Sequence, residues 1–425
     1  MKSLTIFVVA LYAAVAAASP SVSVTGLTID AVSGEVVVSY SLADGPAIVT
    51  AAFTADGVPV PEQNATRLRG DVNRKVTGDA GTIRWDVRRD MPSLNASAMG
   101  VTLTAWPCDN PPDYMVVDLR TADTVNYYTS TNALPGGGLA NELYRTGSIL
   151  LRKIPAAKIE WYKGDKSYGY WVTLTENYYI GVYELTQQQM RLMGWAPGRG
   201  QTAEFSNLAT GPICTDSHGE VINPSTATLP SVHNYVEIRG ATNSTTCWPE
   251  RGHAVGVGTP LEYVRNLTGV AFDLPTDAQW EFACRAGTAT DYYNGKDASA
   301  NSGRDPNLDP LAWYDDGTAD KPLCPRPVGL KQPNAWGLYD MLGNVYENVL
   351  DINASSPYEK DSHVTDPQGP ASTSADATKR ILRGDSWFQD NANARPRASR
   401  RQLGTYNNTS KNYVGSRLCC PVAAP

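Results

Sequence analysis

The side chains of this 425-residue chain that could bind a soft metal or carry redox chemistry are seven cysteines and four histidines. The cysteines are Cys108, Cys214, Cys247, Cys284, Cys324, Cys419 and Cys420, and the histidines are His218, His233, His253 and His363. No cysteines have C-x-x-C spacing and no histidines are paired at ligand spacing, so the sequence predicts neither a structural zinc site nor an iron site. Two or three disulfides with one thiol left over are expected instead.

The composition predicts short elements and many turns to position such side chains. Charged residues make up 19% of the chain, below the roughly 25% of most soluble domains, while the chain has 36 Gly, 29 Pro and 22 Tyr. This composition favours strands and loops over helical bundles. The formal net charge is -7. It argues against a nucleic-acid partner, since phosphates are bound by a basic face.

Residues 1–18 have the pattern of a secretory signal peptide. Lys2 precedes an apolar run over residues 4–15, and the small residues at 16–18 fit the A-x-A cleavage rule. That run is shorter than the roughly 20 residues that span a bilayer, and no later apolar segment is long enough. We therefore expect an exported chain (secreted, periplasmic or at the cell surface) with no transmembrane segment after cleavage.

Residues 20–118 are predicted to form an all-β domain. Short β-branched or alternating runs are separated by turn signals, such as those at residues 43–45 and 55–57, and no helical pattern lies between them. This spacing predicts an antiparallel β-sandwich of immunoglobulin or fibronectin type. The segment has no histidine and no catalytic constellation, so we interpret it as an adaptor. Residues 119–144, with glycines at 136–138, are interpreted as a connector.

Two short helices are predicted in the remainder of the chain. One covers residues 186–193 and the other residues 277–285. Thr276 is the expected N-cap of the second helix, and Asp277 complements the positive end of its dipole.

Four sequence blocks occur in a fixed order in the C-terminal two thirds of the chain. They are residues 179–187 (YIGVYELTQ), 274–288 (LPTDAQWEFACRAGT), 333–347 (PNAWGLYDMLGNVYE), and 383–387 (RGDSW) with 415–417 (GSR). Together they closely resemble the sulfatase-modifying-factor, or formylglycine-generating-enzyme-like, family. The resemblance implies an α+β domain of C-type-lectin-like fold over residues 145–425. It also implies that most motif arginines and tryptophans support the core.

The copper-using members of that family place two thiols shortly after the Gly-x-Ser motif, where thiolates hold Cu(I) for oxygen activation. Counted from Ser386, the two positions fall on Gln389 and Ala394. No cysteine lies between Cys324 and Cys419. Copper is therefore not expected, and the sequence argues against formylglycine-generating activity although Ser386 is retained.

The block at residues 343–347 resembles the calcium loop of the family. The resemblance implies that the Asn344 side chain, the Val345 carbonyl and the Glu347 carboxylate bind calcium, a hard cation that prefers oxygen ligands. The alternative is that Asn344 caps a turn and that Glu347 pairs with a buried arginine.

The resemblance also implies a disulfide from Cys284 to Cys419 or Cys420. Three family positions carry other residues in this chain: Asp385 replaces the second glycine of Gly-Gly-Ser, Asn348 replaces an expected tryptophan, and Ser416 replaces the phenylalanine of Gly-Phe-Arg. These changes are expected to loosen an apolar floor and to add polar groups.

The lost thiols and the intact motifs favour a non-catalytic ligand-binding module. Its expected binding residues are Ser386, Gln389, Asp390, Asn391, Asn393, Tyr406, Asn408 and Tyr413. Asn and Tyr combine hydrogen bonding with rigid aromatic area, as in binding loops generally, and fit a protein or glycan ligand. One version is a protein diversified by retroelement mutagenesis in this segment. The alternatives are a solvated loop, a formylglycine-generating oxidase or related enzyme with non-standard site residues, and a structural component of the cell surface.

Overall fold

The computed structural model describes most of the chain after the predicted signal peptide. The described residues are 19–30, 32–121, 125–165, 167–195, 227–240, 254–299, 303–317, 324–352, 358–369, 379–388, 395–403 and 413–422. Two compact units are present. The first contains the chain up to Pro59 together with Leu68–Pro107, and the second contains Val60–Arg67 together with Cys108–Pro425.

The first unit consists of short strands and one helical turn. Its elements are β1 (Ser21–Ile29), β2 (Val36–Ala43), β3 (Ala47–Ala55), β4 (Val58–Pro59), β5 (Leu68–Gly70), β6 (Lys75–Val76), β7 (Ala80–Trp85), α1 (Val87–Asp90) and β8 (Met99–Pro107).

Alternating apolar residues build two antiparallel sheets in this unit. In β2, Val36, Val38 and Tyr40 are buried while the residues between them are more exposed, as expected for a strand with one face on a core. One sheet has the order β1-β2-β7-β5, and the other has the order β4-β3-β6 with β8 paired to β3. Phe53 and Trp85, one from each sheet, have ring centroids 4.6 Å apart. The N-terminal region is therefore β-rich, as predicted.

The boundary of this unit differs from the predicted one at residue 118. The unit ends at Pro107, and Tyr114–Asp118 forms an inner strand of a sheet in the second unit. Its first four residues are all buried, which is typical of a strand covered on both faces. The predicted connector, residues 119–144, also contributes a strand to that sheet, Val125–Tyr128.

The second unit combines short strands with five short helices in the part of the chain that the structure describes. Besides a 3-10 turn at Glu62–Asn64, its elements are β9 (Tyr114–Asp118), β10 (Val125–Tyr128), α2 (Leu143–Thr146), β11 (Ser148–Ile154), β12 (Ile159–Lys163), β13 (Tyr170–Leu174), β14 (Tyr178–Gly181), α3 (Gln187–Leu192), α4 (Tyr235–Arg239), α5 (Pro260–Thr268), α6 (Asp277–Arg285), β15 (Tyr346–Ile352), β16 (His363–Thr365), β17 (Arg380–Arg383), β18 (Gln402–Leu403), β19 (Val414–Gly415) and β20 (Cys419–Pro421).

Three sheets organise the described part of this unit. The largest is antiparallel and has the order β10-β9-β11-β14-β20. A small sheet has the order β12-β13-β16, in which β16 runs parallel to β13. The third has the order β18-β17-β15-β19, in which β15 is antiparallel to β17 and parallel to β19. Among the described residues, no helix is long and apolar enough to cross a bilayer.

Helix α6 confirms the predicted bounds and the predicted cap. Thr276 Oγ1 accepts a hydrogen bond from the Gln279 amide at 3.1 Å, while Gln279 Oε1 accepts one from the Thr276 amide at 2.9 Å. This reciprocal pair fixes the first turn of the helix. Every residue of α6 is buried. The other predicted helix, at residues 186–193, is present as α3 with Thr186 as its N-cap.

Buried ion pairs fasten α6 to strands β12 and β17. Asp277 and Glu281 lie one turn apart on the helix. Glu281 accepts from Arg383 Nη2 at 2.8 Å and from Arg285 Nη2 at 2.8 Å. Asp277 pairs with Arg383 and lies 2.8 Å from Lys163 Nζ. The carboxylates and cations compensate one another in a dry core, where an unpaired charge would be costly.

A third carboxyl beside this network predicts a pH-dependent stability. Asp351 accepts a hydrogen bond from the Asp277 amide at 2.7 Å. Burial, and then the nearby Asp277 charge, raise the pKa of Asp351 to about 7 from its ordinary 3.8. Between those values the folded protein holds a proton that the unfolded chain has released, so stability falls as the pH rises from about 4 to about 7.

Asp351→Asn should remove that loss, because asparagine mimics the protonated acid and its oxygen can still accept from the amide. At pH 8 we expect the variant to exceed the original protein by at least about 1.4 kcal/mol, the equivalent of one pKa unit. At pH 4 the two proteins should be equally stable. Urea denaturation at both pH values measures the difference, and an identical pH dependence would contradict the assignment.

Candidate ligand-binding face

Three strands of one sheet bring two segments of the chain to the same edge. Because β15 runs antiparallel to β17 and parallel to β19, the end of β17 meets the beginnings of the other two strands. The Trp387 amide, just after β17, donates to the Asn344 carbonyl at 2.8 Å. The Tyr346 amide donates to the Tyr413 carbonyl, just before β19, also at 2.8 Å. The two segments are thereby held beside each other.

Four aromatic side chains form a cluster at this edge, which we call the aromatic face: Tyr346, Trp387, Phe388 and Tyr413. The ring centroids of Phe388 and Tyr413 are 5.1 Å apart with nearly parallel planes. Trp387 contacts Phe388 edge-on at 5.5 Å, and Tyr346 contacts Tyr413 at 6.1 Å. Trp387 packs inward on Val345, whereas Phe388 is 38% exposed. The cluster therefore presents rigid aromatic area that is anchored in the core.

Ser386, an expected ligand-binding residue, supports this face from beneath. Its side chain is buried. Its hydroxyl donates to the Phe388 carbonyl and accepts from the Phe388 amide at 3.2 Å. The preceding residue, Asp385, has a left-handed backbone (φ +62°) and pairs with Arg400 Nε at 3.0 Å. Ser386 thus shapes the turn that carries Phe388, and its hydroxyl is directed at the backbone.

Of the expected binding residues, Tyr413 lies on the aromatic face. Six others lie outside the described residues: Gln389, Asp390, Asn391, Asn393, Tyr406 and Asn408. In the sequence, Gln389 follows Phe388 directly, and residue 412 directly precedes Tyr413. The two stacked rings are therefore next in the sequence to the two segments that carry the other expected binding residues, 389–394 and 404–412.

A buried polar network lies next to the aromatic face. His233 Nε2 is 3.0 Å from Ser416 Oγ, and His233 Nδ1 is 3.3 Å from Ser231 Oγ. Ser416 Oγ donates to the Gly415 carbonyl at 2.7 Å. In the tautomer consistent with that bond, Nε2 carries the ring proton and donates to Ser416 Oγ, while Nδ1 accepts from Ser231. Burial lowers the pKa of His233 to about 3, so the imidazole is neutral and can fill both roles.

The same network contains both polar residues that replace expected aromatic ones. Asn348 Nδ2 donates to the Gly415 carbonyl at 2.8 Å and approaches Ser416 Oγ at 3.3 Å. The His233 amide donates to the Val414 carbonyl at 2.8 Å. These contacts fix β19, and hence Tyr413, to the segment that carries His233. The sequence indicated the two replacements but gave no signal for His233 or for the pairing.

Glu347, an expected calcium ligand, is hydrogen-bonded to other side chains of the protein. Both of its oxygens accept from Arg417, at 2.6 and 2.7 Å. Oε2 also accepts from Trp280 Nε1 at 2.6 Å. All of these groups are buried. This geometry matches the alternative in which Glu347 pairs with a buried arginine, and the guanidinium would repel a cation placed there.

The Asn344 side chain, another expected calcium ligand, is also engaged in hydrogen bonds, and at Val345 the bond to Glu184 is made by the backbone amide and not by the expected carbonyl ligand. Asn344 has a left-handed backbone (φ +63°), and its side chain donates to Glu184 at 2.6 Å and accepts from the Arg326 amide at 2.9 Å. The Val345 amide donates to Glu184 at 3.1 Å. Burial, then the Asp340 charge, raise the pKa of Glu184 well above its usual range. The donor set does not fit calcium, and no group of acids, histidines and cysteines within the described ranges could hold a metal.

The disulfide implied for Cys284 and Cys419 is not formed. Among the described cysteines, Cys108, Cys284, Cys419 and Cys420 form no disulfide. The Cys284 sulfur contacts the Met341 carbonyl at 3.7 Å, near the end of α6. The Cys419 sulfur lies 4.0 Å from Gln279 Oε1, near its beginning. Five residues of helix, about 7.5 Å, separate these positions along the axis. The expected two or three disulfides are also wrong, because four of the seven cysteines form no disulfide and the remaining three can form at most one.

Comparisons with known proteins agree with the motif order. A family model for the sulfatase-modifying factor enzyme 1-like domain matches residues 157–420. A formylglycine-generating enzyme from Streptomyces coelicolor is 35% identical over 142 residues, 33% of this chain and 44% of that protein. The chain thus spans less than half the length of that relative. A chaperone protein, LppX, from Paenibacillus barcinonensis is 26% identical over 233 residues, 51% of this chain and 71% of that protein.

Among solved structures, Treponema denticola variable protein 1 is similar with a TM-score of 0.44 and 21% identity. The match covers 64% of this chain and 95% of that one. A structure of PvdO from Pseudomonas aeruginosa has a TM-score of 0.40 and 19% identity, covering 64% of this chain and 94% of that one.

Proposed function

The chain belongs to the sulfatase-modifying factor enzyme 1-like family, and from this premise we propose that it is an exported, non-catalytic ligand-binding member. The proposal of export rests on the signal-peptide pattern of residues 1–18. We further propose a C-type-lectin-like scaffold for the second unit and an immunoglobulin- or fibronectin-like sandwich for the first. The many short strands and irregular connections support the first assignment, and the two antiparallel sheets support the second.

Loss of the copper thiols supports the absence of oxidase chemistry. The family's thiol positions fall on Gln389 and Ala394, neither of which can form a thiolate. Burial raises the pKa of Cys284 to about 12 and those of Cys419 and Cys420 well above the usual range. Copper is held by the deprotonated sulfur, so none of these three thiols is a ready substitute.

The observation that carries the binding proposal is the Phe388–Tyr413 stack. The exposed Phe388 ring stacks on the Tyr413 ring. Tyr413 is in turn held by its backbone hydrogen bond with Tyr346 and by the His233 network. Such rigid aromatic anchors lose little conformational freedom on binding and often carry most of the affinity of an interface. The adjoining segments, residues 389–394 and 404–412, supply hydrogen-bonding groups by composition, since asparagine is frequent in both, which suits a protein or a glycan ligand.

The test is to screen the purified full chain on a glycan microarray and a peptide display library, then to measure affinity for the best ligand. Phe388→Ala/Tyr413→Ala should weaken binding by about tenfold or more. Tyr263→Ala is the matched control, because Tyr263 is a similarly exposed aromatic residue (37%) on α5 and is not one of the four residues of the face. Equal affinities for both variants, or no ligand in either screen, would count against the proposal.

The second candidate is an oxidase or related enzyme acting on protein cysteine. The similarity to a formylglycine-generating enzyme and the retained Ser386 favour it. Incubation with copper, oxygen and a sulfatase-derived cysteine peptide, followed by mass spectrometry, tests it directly. We expect no aldehyde product, and aldehyde formed over repeated turnovers would establish the enzyme instead.

A further inference from the structure

A second aromatic surface lies on the small β12-β13-β16 sheet, outside the aromatic face. The register places Tyr162, Trp171 and His363 in one row across the three strands. Their neighbours along the strands, Lys163 and Val172, are buried. Because successive residues of a strand point to opposite faces, the row lies on the outward face of the sheet. We call Tyr162, Trp171 and His363 the outer row.

The outer row is partly exposed, and its three rings contact one another. Trp171 is 36% exposed and the His363 side chain 66%. The rings of Tyr162 and Trp171 meet edge-on at 5.3 Å, and those of Trp171 and His363 are parallel at 6.0 Å. A Cβ added at Gly169 would lie 2.1 Å from the Tyr162 ring, so the absence of a side chain at this glycine leaves room for the ring. An exposed tryptophan held in place in this way is typical of a binding surface.

Carboxylates hold both ends of the outer row. Glu160 accepts from His363 Nδ1 at 2.7 Å, and Asp361 accepts from the Tyr162 hydroxyl at 2.8 Å. Around them, the exposed acids on the described parts of these strands and turns outnumber the exposed bases. The acids are Glu160, Asp165, Glu176, Glu359 and Asp361, and the bases are Lys158 and Lys360. The surface thus combines aromatic rings with an excess of negative charge.

We propose that the outer row binds a basic peptide through an arginine or lysine side chain. The cation would lie against Trp171, where the ring quadrupole attracts it, with Glu160 and Asp361 supplying opposite charge. Charge complementarity favours this ligand class over a neutral glycan, since the acidic excess attracts a cation at a distance and exerts no such attraction on an uncharged ligand. This site goes beyond the proposed function, because it uses a different sheet and none of the residues of the aromatic face.

Isothermal titration of the full chain with acetyl-Gly-Arg-Gly-Arg-Gly-amide tests the proposal. The matched ligand replaces each arginine with citrulline, which keeps the shape and loses the charge. We expect the arginine peptide to bind about tenfold more tightly, and its affinity to fall as salt is raised. Equal affinities for the two peptides, or no binding of the arginine peptide, would overturn the proposal.

Two variants assign the binding to the outer row. Glu160→Gln/Asp361→Asn keeps size and hydrogen bonding while removing both charges, and it should lower affinity about tenfold. Trp171→Ala should do the same, with thermal unfolding checking that each variant is folded. Phe388→Ala/Tyr413→Ala should leave the affinity unchanged, which separates this site from the aromatic face. Unchanged affinity in the charge-neutral variant, or binding of chitohexaose that Trp171→Ala abolishes, would refute the proposal.

Discussion

Glu281→Gln should destabilise the second unit by about 3–5 kcal/mol, the range expected when one partner of a buried ion pair is removed. Glu281 is completely buried and accepts from Arg383, Arg285 and the Gly164 amide, all at 2.8 Å. Glutamine has nearly the same shape but no charge, so the two guanidinium groups lose a counter-charge without a cavity being formed. Denaturant unfolding followed by tryptophan fluorescence measures the loss.

The pH dependence of the same variant separates charge from packing. Burial alone would raise the pKa of Glu281, but Lys163, Arg285 and Arg383 lower it to about 2 from an ordinary 4.5. A depressed pKa gives stability that is complete above about pH 4.5 and is lost as the pH falls towards 2. The difference between the two proteins should therefore shrink on acidification. Glu359→Gln, at an exposed acid, should stay within about 0.5 kcal/mol of the original protein. A constant difference across that range would indicate a packing effect.

Arg417→Met should cost a similar amount, about 3–5 kcal/mol, because it leaves the Glu347 carboxylate buried without its partner. Arg417 also donates to the Gly181 and Tyr339 carbonyls, each at 2.9 Å. In the double variant Arg417→Met/Glu347→Gln, the neutral glutamine replaces the carboxylate that Arg417→Met alone leaves buried without a partner. The double variant should therefore be more stable than Arg417→Met, and a double-mutant cycle measures the coupling. Strictly additive losses would contradict a direct pairing.

The Arg417–Glu347 pair also predicts how the protein responds to calcium. With Arg417 occupying both oxygens of Glu347, we expect millimolar calcium or EDTA to leave the melting temperature of the unaltered protein unchanged. A calcium-dependent rise that Glu347→Gln abolishes would reinstate the site implied by the family resemblance.

Local patterns in the sequence predicted the elements that depend on neighbouring residues. Helix α6 begins at the expected cap because Thr276 and Gln279 bond each other three residues apart, and the alternation in β2 follows directly from its burial. The aromatic face was predicted only at Tyr413, because the sequence assigned Trp387 to the core and gave no binding role to Phe388.

Contacts between distant residues could not be predicted in this way. His233 and Ser416 are far apart in the sequence, and each by itself reads as an ordinary polar residue. The Cys284–Cys419 bridge was inferred from the family and failed because the two sulfurs lie at opposite ends of α6. The boundary at residue 118 failed for a related reason. The sequence pattern of a buried strand does not show which unit the strand belongs to. The partners of β9, which are β10 and β11, follow it in the chain.

The complete burial of α6 has a consequence for how this protein can evolve. The ion pairs that fasten the helix join Asp277 and Glu281 of α6 to Lys163 of β12 and Arg383 of β17. Substitutions elsewhere in the chain that leave these four residues in place can therefore accumulate without removing the stability that the ion pairs supply. Lineages carrying this scaffold should be able to exchange one ligand for another by small steps, each of which passes through a folded protein.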